Sequence, residues 1–513
     1  MTLFDDLNPD CTRHIIAFLD KASLHAVAQV SKTASTVSLP FLVKIVVLYL
    51  EYLDDERITN NFCNAVEKHG LYPHIRSLRL KISGNDAQPP NSLRRLLPHL
   101  INLVYVGMEL EPSIPLRLDL VYPEYGRQFA SAEYGELFHS LLLHSTPPQV
   151  TLHDILLSKP RASEIDSNAG LGTRYLSLRS PHISNCDEHA EGVERLLLAA
   201  GPTLEALQFT GVCLPGLRAT RSEDSLEYAE VKTLHIDALP ITLAALADAF
   251  PKLSFLTIYS DFTAPDRFNP DMWLGDGNSS PAEFNKLVSF TGSKTLAKGF
   301  LLQSHIVGLR RLCLPAQYSD ETFEDLRDLC AFLETICLNP VTSLTLTIKF
   351  DRREHISALH LAVERIANAL PNLNFLHIRL YRFELSSVEA LQQLIGPILE
   401  RLSALKTLRY LSILVISNQL YRPPNAAVTL GTVARRYLST IPSLQYIDID
   451  VICSSLILLH DERSPGSSTF WRKTQVDSQV GAEQMDQSEA LELRSRMDYD
   501  GMEVDPLVVS RVD

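Results

Sequence analysis

A six-residue phrase with apolar residues at its first, fourth and sixth positions recurs along this chain and limits what the chain can fold into. Alternating apolar residues of this kind are typical of a short strand with one buried face. The clear members are IRSLRL (75–80), LEALQF (204–209), VKTLHI (231–236), LSFLTI (253–258), LRRLCL (309–314), VTSLTL (341–346), LNFLHI (373–378), LRYLSI (408–413) and LQYIDI (444–449). TRYLSL (173–178), LINLVYV (100–106) and QVTLHDI (149–155) are weaker members.

The spacing of the phrase predicts a repeat protein. Central residues of successive phrases from 173 to 449 lie about 22 to 36 residues apart, except for a gap of about two periods between Leu256 and Leu312. A helical stripe ending in Pro or Asn-Pro precedes several phrases, as in LAVERIANALPNLNFLHI (361–378). Parallel strands require such a crossover between them. The sequence therefore predicts α/β repeats that bury their apolar faces by stacking on one another.

The first 50 residues have a different pattern, which predicts a small helical module. Asn8-Pro9 is a favourable helix start, residues 20–23 form a break, and Pro40 can open a third helix or turn. The apolar stripes at helical spacing are Ile15, Ile16 and Leu19, and then Leu24, Val27, Ala28 and Val30. These patterns divide the chain into a helical module at 1–50, a repeat region at 51–460 and a tail at 461–513.

Two stretches carry no recognised repeat phrase. Gly, Asn, Ser and Pro cluster between residues 264 and 300, which predicts a loop insertion in the repeat region. From about residue 461 the chain is polar and acidic, so we expect a disordered tail with at most a short helix near 488–497.

Composition restricts the partners that we expect. The net charge of -14 disfavours general binding to nucleic acid or to an anionic membrane. The acidic N-terminus lacks the basic flank of a secretory signal, and the most apolar window is too short to span a bilayer. The eight cysteines lack zinc-site spacing, which fits thiols in a reducing compartment. We therefore expect an intracellular protein, in the cytoplasm or nucleus, without metal or cofactor.

The N-terminal stretch resembles the F-box, the helical module that docks F-box proteins onto the Skp adaptor of cullin-based ubiquitin ligases. The resemblance covers about a tenth of the chain and includes Val30-Ser31-Lys32 and Pro40-Phe41-Leu42. It implies an adaptor-binding surface, which consists of Leu7, Pro9, Ile15, Leu19, Leu24, Val27, Val30, Pro40 and Leu42. A simpler interpretation is that the helices only cap the end of the repeats.

The repeats resemble irregular leucine-rich repeats, which follow the F-box in a known family architecture. The resemblance implies a leucine-rich-repeat solenoid with parallel strands on its concave face. Residues between the buried positions of each strand would then point outward and could bind a target protein. The candidate target-binding residues are Arg79, Arg179, His235, Tyr259, Arg311, His377 and Arg379.

Searches for catalytic motifs find no phosphate-binding loop, nucleophile elbow or His-Glu-x-x-His sequence. We therefore expect a non-enzymatic substrate-recognition subunit of a Skp–cullin–F-box ubiquitin ligase. The alternatives are a leucine-rich-repeat interaction scaffold without adaptor docking, and an enzyme with an unrecognised site on the repeat surface.

Overall fold

The computed structural model of this 513-residue chain describes residues 8–50, 53–83, 89–111, 137–138, 141, 147–153, 172–179, 193, 196–197, 200–210, 228–237, 243–259, 282–306, 308–314, 326–349, 356–383, 388–417, 426–453, 469–476, 479–499 and 502. The chain divides into two compact units, Met1–Val231 and Lys232–Asp513.

The first unit begins with three helices, α1 (Pro9–Ala17), α2 (Lys21–Val30) and α3 (Lys32–Leu42). Asp20 caps α2 by accepting a hydrogen bond from the amide of Ser23 at 2.7 Å. Ser31 caps α3 in the same way from the amide of Ala34 at 3.1 Å. The expectation that Pro40 opens a helix is wrong, because Pro40 lies inside α3 near its end.

The rest of the first unit is an α/β repeat. Its strands are β1 (Ile45–Leu50), β2 (Ser77–Ser83), β3 (Tyr105–Glu111), β4 (Gln149–His153), β5 (Tyr175–Arg179) and β6 (Ala206–Thr210). Each strand pairs in parallel with the next one along the chain. Helix α4 (Leu53–His69) follows β1, and α5 (Asn91–Leu96) follows β2. Since β1 belongs to this sheet, the sheet begins before the predicted boundary at residue 50.

The second unit continues the same scheme. Its parallel strands are β7 (Thr233–Asp237), β8 (Phe255–Tyr259), β10 (Ser289–Thr291), β12 (Arg311–Cys313), β13 (Ser343–Lys349), β14 (Phe375–Phe383), β15 (Tyr410–Ser417) and β16 (Tyr446–Cys453), in that spatial order. The short strands β9 (Ala282–Glu283) and β11 (Ser304–His305) pair separately. The helices of the repeats are α6 (Leu243–Ala249), α7 (Lys294–Gln303), α8 (Leu326–Ile336), α9 (Ile356–Ala369), α10 (Val388–Leu402) and α11 (Ala426–Thr440).

Alternation along the strands gives each sheet two chemically different faces. The fourth and sixth phrase positions, such as Leu376 and Ile378, are fully buried in the core. The side chains that alternate with them, such as His377 and Arg379, lie on what we call the second face. Parallel register aligns the second-face residues of neighbouring strands in rows, for example Thr345, His377 and Ser412.

The structure corrects the predicted loop insertion. Residues 264–281 lie outside the described part of the chain, but 282–300 contain β10 and most of α7. Strand β10 follows the repeat phrase at two positions, with Leu287 and Phe290 buried, and has Gly292 at the sixth position. A Cβ atom on Gly292 would lie 3.0 Å from the Phe290 ring. Because Gly292 stands where the phrase has an apolar residue, the apolar pattern alone does not identify this repeat.

The expectation of a disordered tail is also wrong for the described residues. Strands β17 (Thr469–Val476) and β18 (Gln479–Gln484) extend the sheet of the second unit beyond β16, and both pair antiparallel. Trp471 and Phe470 are buried in this pairing. Helix α12 (Gln487–Asp498) follows directly, so a helix forms where a short one was expected, and residues 454–468 and 503–513 lie outside the described part of the chain.

The α-helices of the described segments are 6 to 17 residues long. None of them is long and apolar enough to cross a bilayer.

Replacing a core-facing leucine tests the packing of the repeats. Leu376 is fully buried on β14, so Leu376→Ala should lower the free energy of unfolding by about 2–5 kcal/mol through lost burial and a residual cavity. Leu338→Ala is the matched control, because Leu338 is 90% exposed and its loss should change stability by less than about 0.5 kcal/mol. Urea unfolding of both variants checks this, and equal effects would contradict the assigned core.

Candidate functional site

The three N-terminal helices bury a narrow core. Helix α3 packs against both α1 and α2. From α1 the buried side chains are Thr12 and Ile16, one turn apart, and from α2 Leu24 is buried. Helix α3 contributes only small residues, Ala34 and Ser38. Such a core covers only part of the apolar surface that these helices carry.

Large apolar side chains of α1 and α2 remain exposed. Ile15 is 47% exposed, Val30 is 57% exposed, and Phe18, just after α1, is 78% exposed. Ile15 and Phe18 are three residues apart, and hydrogen bonding of the Phe18 amide to the Ile15 carbonyl continues the helical turn. The ring of Phe18 meets that of His14 edge-on at 5.0 Å. Exposed apolar side chains grouped in this way are characteristic of a protein contact.

The predicted adaptor-binding residues differ in their exposure to solvent. Ile15 and Val30 are exposed, whereas Leu19, Val27, Pro40 and Leu42 are half-buried. Leu24 is only 7% exposed, so it belongs to the interior of the module instead of its surface. Pro9 begins α1, and Leu7 lies outside the described residues. Sequence reasoning missed Phe18, although its position three residues after Ile15 was a usable signal.

The second face of the first unit is rich in aromatic and cationic side chains. On β1, Ile45, Val47 and Tyr49 are all at least 37% exposed. The guanidinium of Arg79 lies 5.0 Å from the centre of the Tyr105 ring, and Lys81 Nζ lies 5.7 Å from that of Tyr49. Arg179 on β5 is exposed. Of the predicted target-binding residues, Arg179 is therefore exposed on this face, whereas Arg79 is half-buried and its Nε is removed from solvent.

In the second unit, α12 covers the second face. Asp498 at its end accepts hydrogen bonds from Arg311 Nε at 3.0 Å and Nη2 at 2.8 Å, both at Oδ2. Ser343 donates to the other oxygen of Asp498 at 2.5 Å. Arg311 is 8% exposed, so this ion pair is largely removed from water. Because charges that are removed from water lose their hydration, this ion pair stabilises the structure only if its hydrogen-bond geometry is good. An exposed pair loses less hydration and depends less on its geometry.

Arg311 is also fixed from the side of the sheet. Its Nη1 donates to Ser289 Oγ at 3.1 Å and to Thr291 Oγ1 at 2.9 Å, both on β10. The ring of Tyr499 lies 4.6 Å from its guanidinium carbon. The sheet thus orients a guanidinium so that its remaining edge faces the carboxylate on α12.

One turn earlier on α12, Arg494 contacts two buried groups of the sheet. Its Nη1 lies 3.3 Å from Asp448 Oδ2, and Ser412 donates to the same oxygen at 2.9 Å. Its Nη2 lies 3.3 Å from His377 Nδ1, while Arg379 Nε donates to His377 Nε2 at 3.0 Å. Burial, reinforced by Arg494 and Arg379, holds the pKa of His377 well below its usual range, so the imidazole is neutral and can accept.

Burial dominates the ionisation of Asp448. It raises the pKa of this carboxyl from 3.8 to about 6, against the opposing effects of Arg494 and Ser412. Asp448 Oδ1 is buried without a hydrogen-bond partner among the described residues. Ionised Asp448 is therefore incompletely compensated beneath α12.

Apolar contacts complete the docking of α12. Leu493 packs in a cluster with Phe375 and Tyr410, which stack on each other with ring centres 5.2 Å apart. Met485, Met497 and Tyr446 pack against this cluster. Farther along, the ring of Tyr499 lies 6.0 Å from that of Phe255.

This covering helix corrects part of the predicted target-binding surface. Arg311 and His377 are buried beneath α12, and His235 on β7 is 1% exposed. Arg379 is half-buried, and Tyr259 ends β8, where its side chain lies outside the described part. The partners that sequence reasoning missed are Arg494 and Asp498 on α12. No local signal reveals them, because Asp498 lies 187 residues from Arg311 in sequence.

Within the described segments, no group of three or more His, Cys, Asp or Glu side chains is placed to hold a metal ion.

Comparison with known proteins gives little further information. No family model matches the chain, and no curated protein matches it. Among solved structures, the chain is similar to one from yeast described as "Crystal structure of Rad7 and Elc1 complex in yeast", with a TM-score of 0.30 and 12% sequence identity. The match covers 73% of this chain and 88% of that chain.

The raised pKa of Asp448 predicts a pH-dependent stability. Between about pH 4 and pH 6 the unfolded chain ionises Asp448 while the folded chain keeps it protonated, so its contribution to stability is full below 3.8 and lost as the pH rises to about 6. Asp448→Asn cannot ionise. The free energy of unfolding of the variant should therefore rise relative to wild type by up to about 3 kcal/mol between pH 4 and pH 7.

Urea unfolding at several pH values measures this difference. Asp328→Asn is the control, since Asp328 pairs with Lys294 on the helix layer, away from α12. A difference between Asp448→Asn and wild type that stays constant with pH would contradict the assignment.

Proposed function

We propose that this chain is a substrate-recognition subunit of a Skp–cullin–F-box ubiquitin ligase. Helices α1–α3 dock onto the Skp adaptor, and the second face of the sheet binds the target. The observation that carries the proposal is the exposure of Ile15, Phe18 and Val30 on a helical module whose own core is narrow. Burying these side chains against a partner removes their apolar surface from water, which favours association.

In this proposal the chain performs no chemistry itself. It holds the target near the transfer machinery, so its contribution to the rate is proximity. Target binding is assigned to the accessible second face of the first unit, where Arg79, Tyr105 and Arg179 lie. Arg and Tyr are the residue types that most often dominate binding energy at protein interfaces.

The burial of Leu24 favours a second candidate, a repeat scaffold whose N-terminal helices act only as a cap. Leu24 and Ile16 are consumed within their own module, as a cap requires. The two candidates differ in what they require of Phe18. A cap gains nothing from a phenylalanine that is 78% exposed, whereas a docking surface needs it.

Charged substitutions at the exposed positions test adaptor docking. Ile15→Asp with Phe18→Asp should weaken binding to a purified Skp adaptor by about 30-fold or more, because losing central apolar anchors typically costs about 2 kcal/mol or more. Both side chains face water, so the fold should survive, as far-UV circular dichroism can verify. Affinity is measured by isothermal titration calorimetry.

Ile45→Asp is the matched control for this experiment, because Ile45 is 58% exposed in the same unit but lies on the second face of β1. It should bind the adaptor as wild type does. A folded wild-type chain that fails to bind, or a double variant that binds normally, would favour the scaffold.

Charge reversal on the second face tests target binding separately. Arg79→Glu with Arg179→Glu should remove target proteins from the proximity-labelling profile of the chain while leaving adaptor labelling intact. The reason is that Arg179 is exposed and Arg79 lies over the Tyr105 ring on the same face, and both residues belong to strands and not to α1–α3. An unchanged profile would place target binding elsewhere.

A further inference from the structure

Helix α12 is attached to the sheet mainly through two ion pairs and a small number of buried apolar side chains. Of its 12 residues only Ala490 and Leu493 are buried. A helix of this length is marginal in isolation, so its helicity depends on docking. Its principal ionic contacts are the two described above, Asp498 with Arg311 and Arg494 with Asp448.

The surface beneath α12 is organised independently of the helix. We call it the docking strip and define it by Arg311, Ser343, Phe375, Tyr410 and Asp448. Ser289 and Thr291 hold the Arg311 guanidinium from β10, and Ser412 holds Asp448 from β15. The rings of Phe375 and Tyr410 stack within the sheet. These interactions involve only strand residues, so none of them requires α12.

The strip therefore has a defined complement. Arg311 and Ser343 donate hydrogen bonds to a carboxylate. The Phe375 and Tyr410 rings pack against an aliphatic side chain, and Asp448 pairs with a cation. A helix that carries an apolar residue, an Arg immediately after it and an Asp four residues after the Arg satisfies all three, as Leu493, Arg494 and Asp498 do.

We propose that the docking strip binds a helix of a target protein carrying this same pattern, and that α12 is a displaceable internal occupant of that site. The proposal deepens the proposed function, because it names the chemistry of one target class, and it rests on target binding by the sheet but not on adaptor docking. The covered strip of the second unit is then a second recognition surface, in addition to the accessible face of the first unit.

Covalent attachment gives α12 an advantage over any external helix. It follows β18 after only Met485 and Asp486, and a short connection typically gives an effective concentration on the order of millimolar. A target helix must therefore bind the strip more tightly than α12 does, or α12 must first be weakened. A helix that binds the strip more weakly than α12 therefore cannot displace it.

A labelled peptide corresponding to residues 486–499 tests displacement in the full-length chain. The variant R494Q/D498N weakens the internal helix without altering the docking strip. It should bind the peptide about tenfold or more tightly than wild type in fluorescence polarisation, because truncating a buried charge pair costs at least that much. Adding R311Q to this variant, or using a peptide with Asp498→Asn, should abolish the gain.

Three results would overturn the proposal: no peptide binding to R494Q/D498N, equal binding to R494Q/D498N and wild type, or binding that does not depend on Arg311. The adaptor is absent from the assay, so these results are independent of the docking of α1–α3.

Hydrogen exchange on the wild-type chain provides a test that requires no variant. The amides of α12 should exchange at least about tenfold faster than those of β17 and β18, because a displaceable helix opens without unfolding the sheet. Exchange of α12 at the same rate as these two strands would show an integral helix and would overturn the proposal.

Discussion

The structure depends on burying one face of each strand against the helices of its own and neighbouring repeats. A single phrase such as LNFLHI buries Leu373, Leu376 and Ile378, which is too little apolar surface for an independent fold. Parallel pairing with the next strand makes the buried faces continuous. The same alternation places every other side chain on the second face, outside this core.

The second face is used differently in the two units. In the first, Arg179 and the apolar residues of β1 are exposed, and Arg79 is half-buried. In the second, α12 occupies a strip that combines a fixed guanidinium, a buried carboxyl group and stacked rings. Buried polar groups of this kind are costly unless satisfied. Helix α12 satisfies them within the chain, and any ligand that replaces it must supply the same groups.

Much of the repeat region could be predicted from sequence, since its strands depend on local apolar alternation. All twelve phrases correspond to strands, including the weaker ones at β3, β4 and β5. Strand β1 was missed although Val43, Val46 and Leu48 fit the phrase, because the preceding helices suggested a continued helical pattern. The short helix expected near 488–497 forms as α12, but the hairpin β17–β18 was missed. The docking of α12 could not be predicted, since Asp498 and Arg494 pair with residues 187 and 46 positions away in sequence. The burial of Arg311 and His377 follows from that covering and was therefore equally invisible.

We propose that the exposed apolar side chains of α1 and α2 belong to an interface with the Skp adaptor. Hydroxyl-radical footprinting of the chain with and without purified adaptor tests it most directly. Phe18 should lose most of its oxidation in the complex, whereas Tyr49, which is 52% exposed on β1 and serves as an internal reference, should not change. Equal oxidation of Phe18 in both samples, even with a large molar excess of adaptor, would contradict the account.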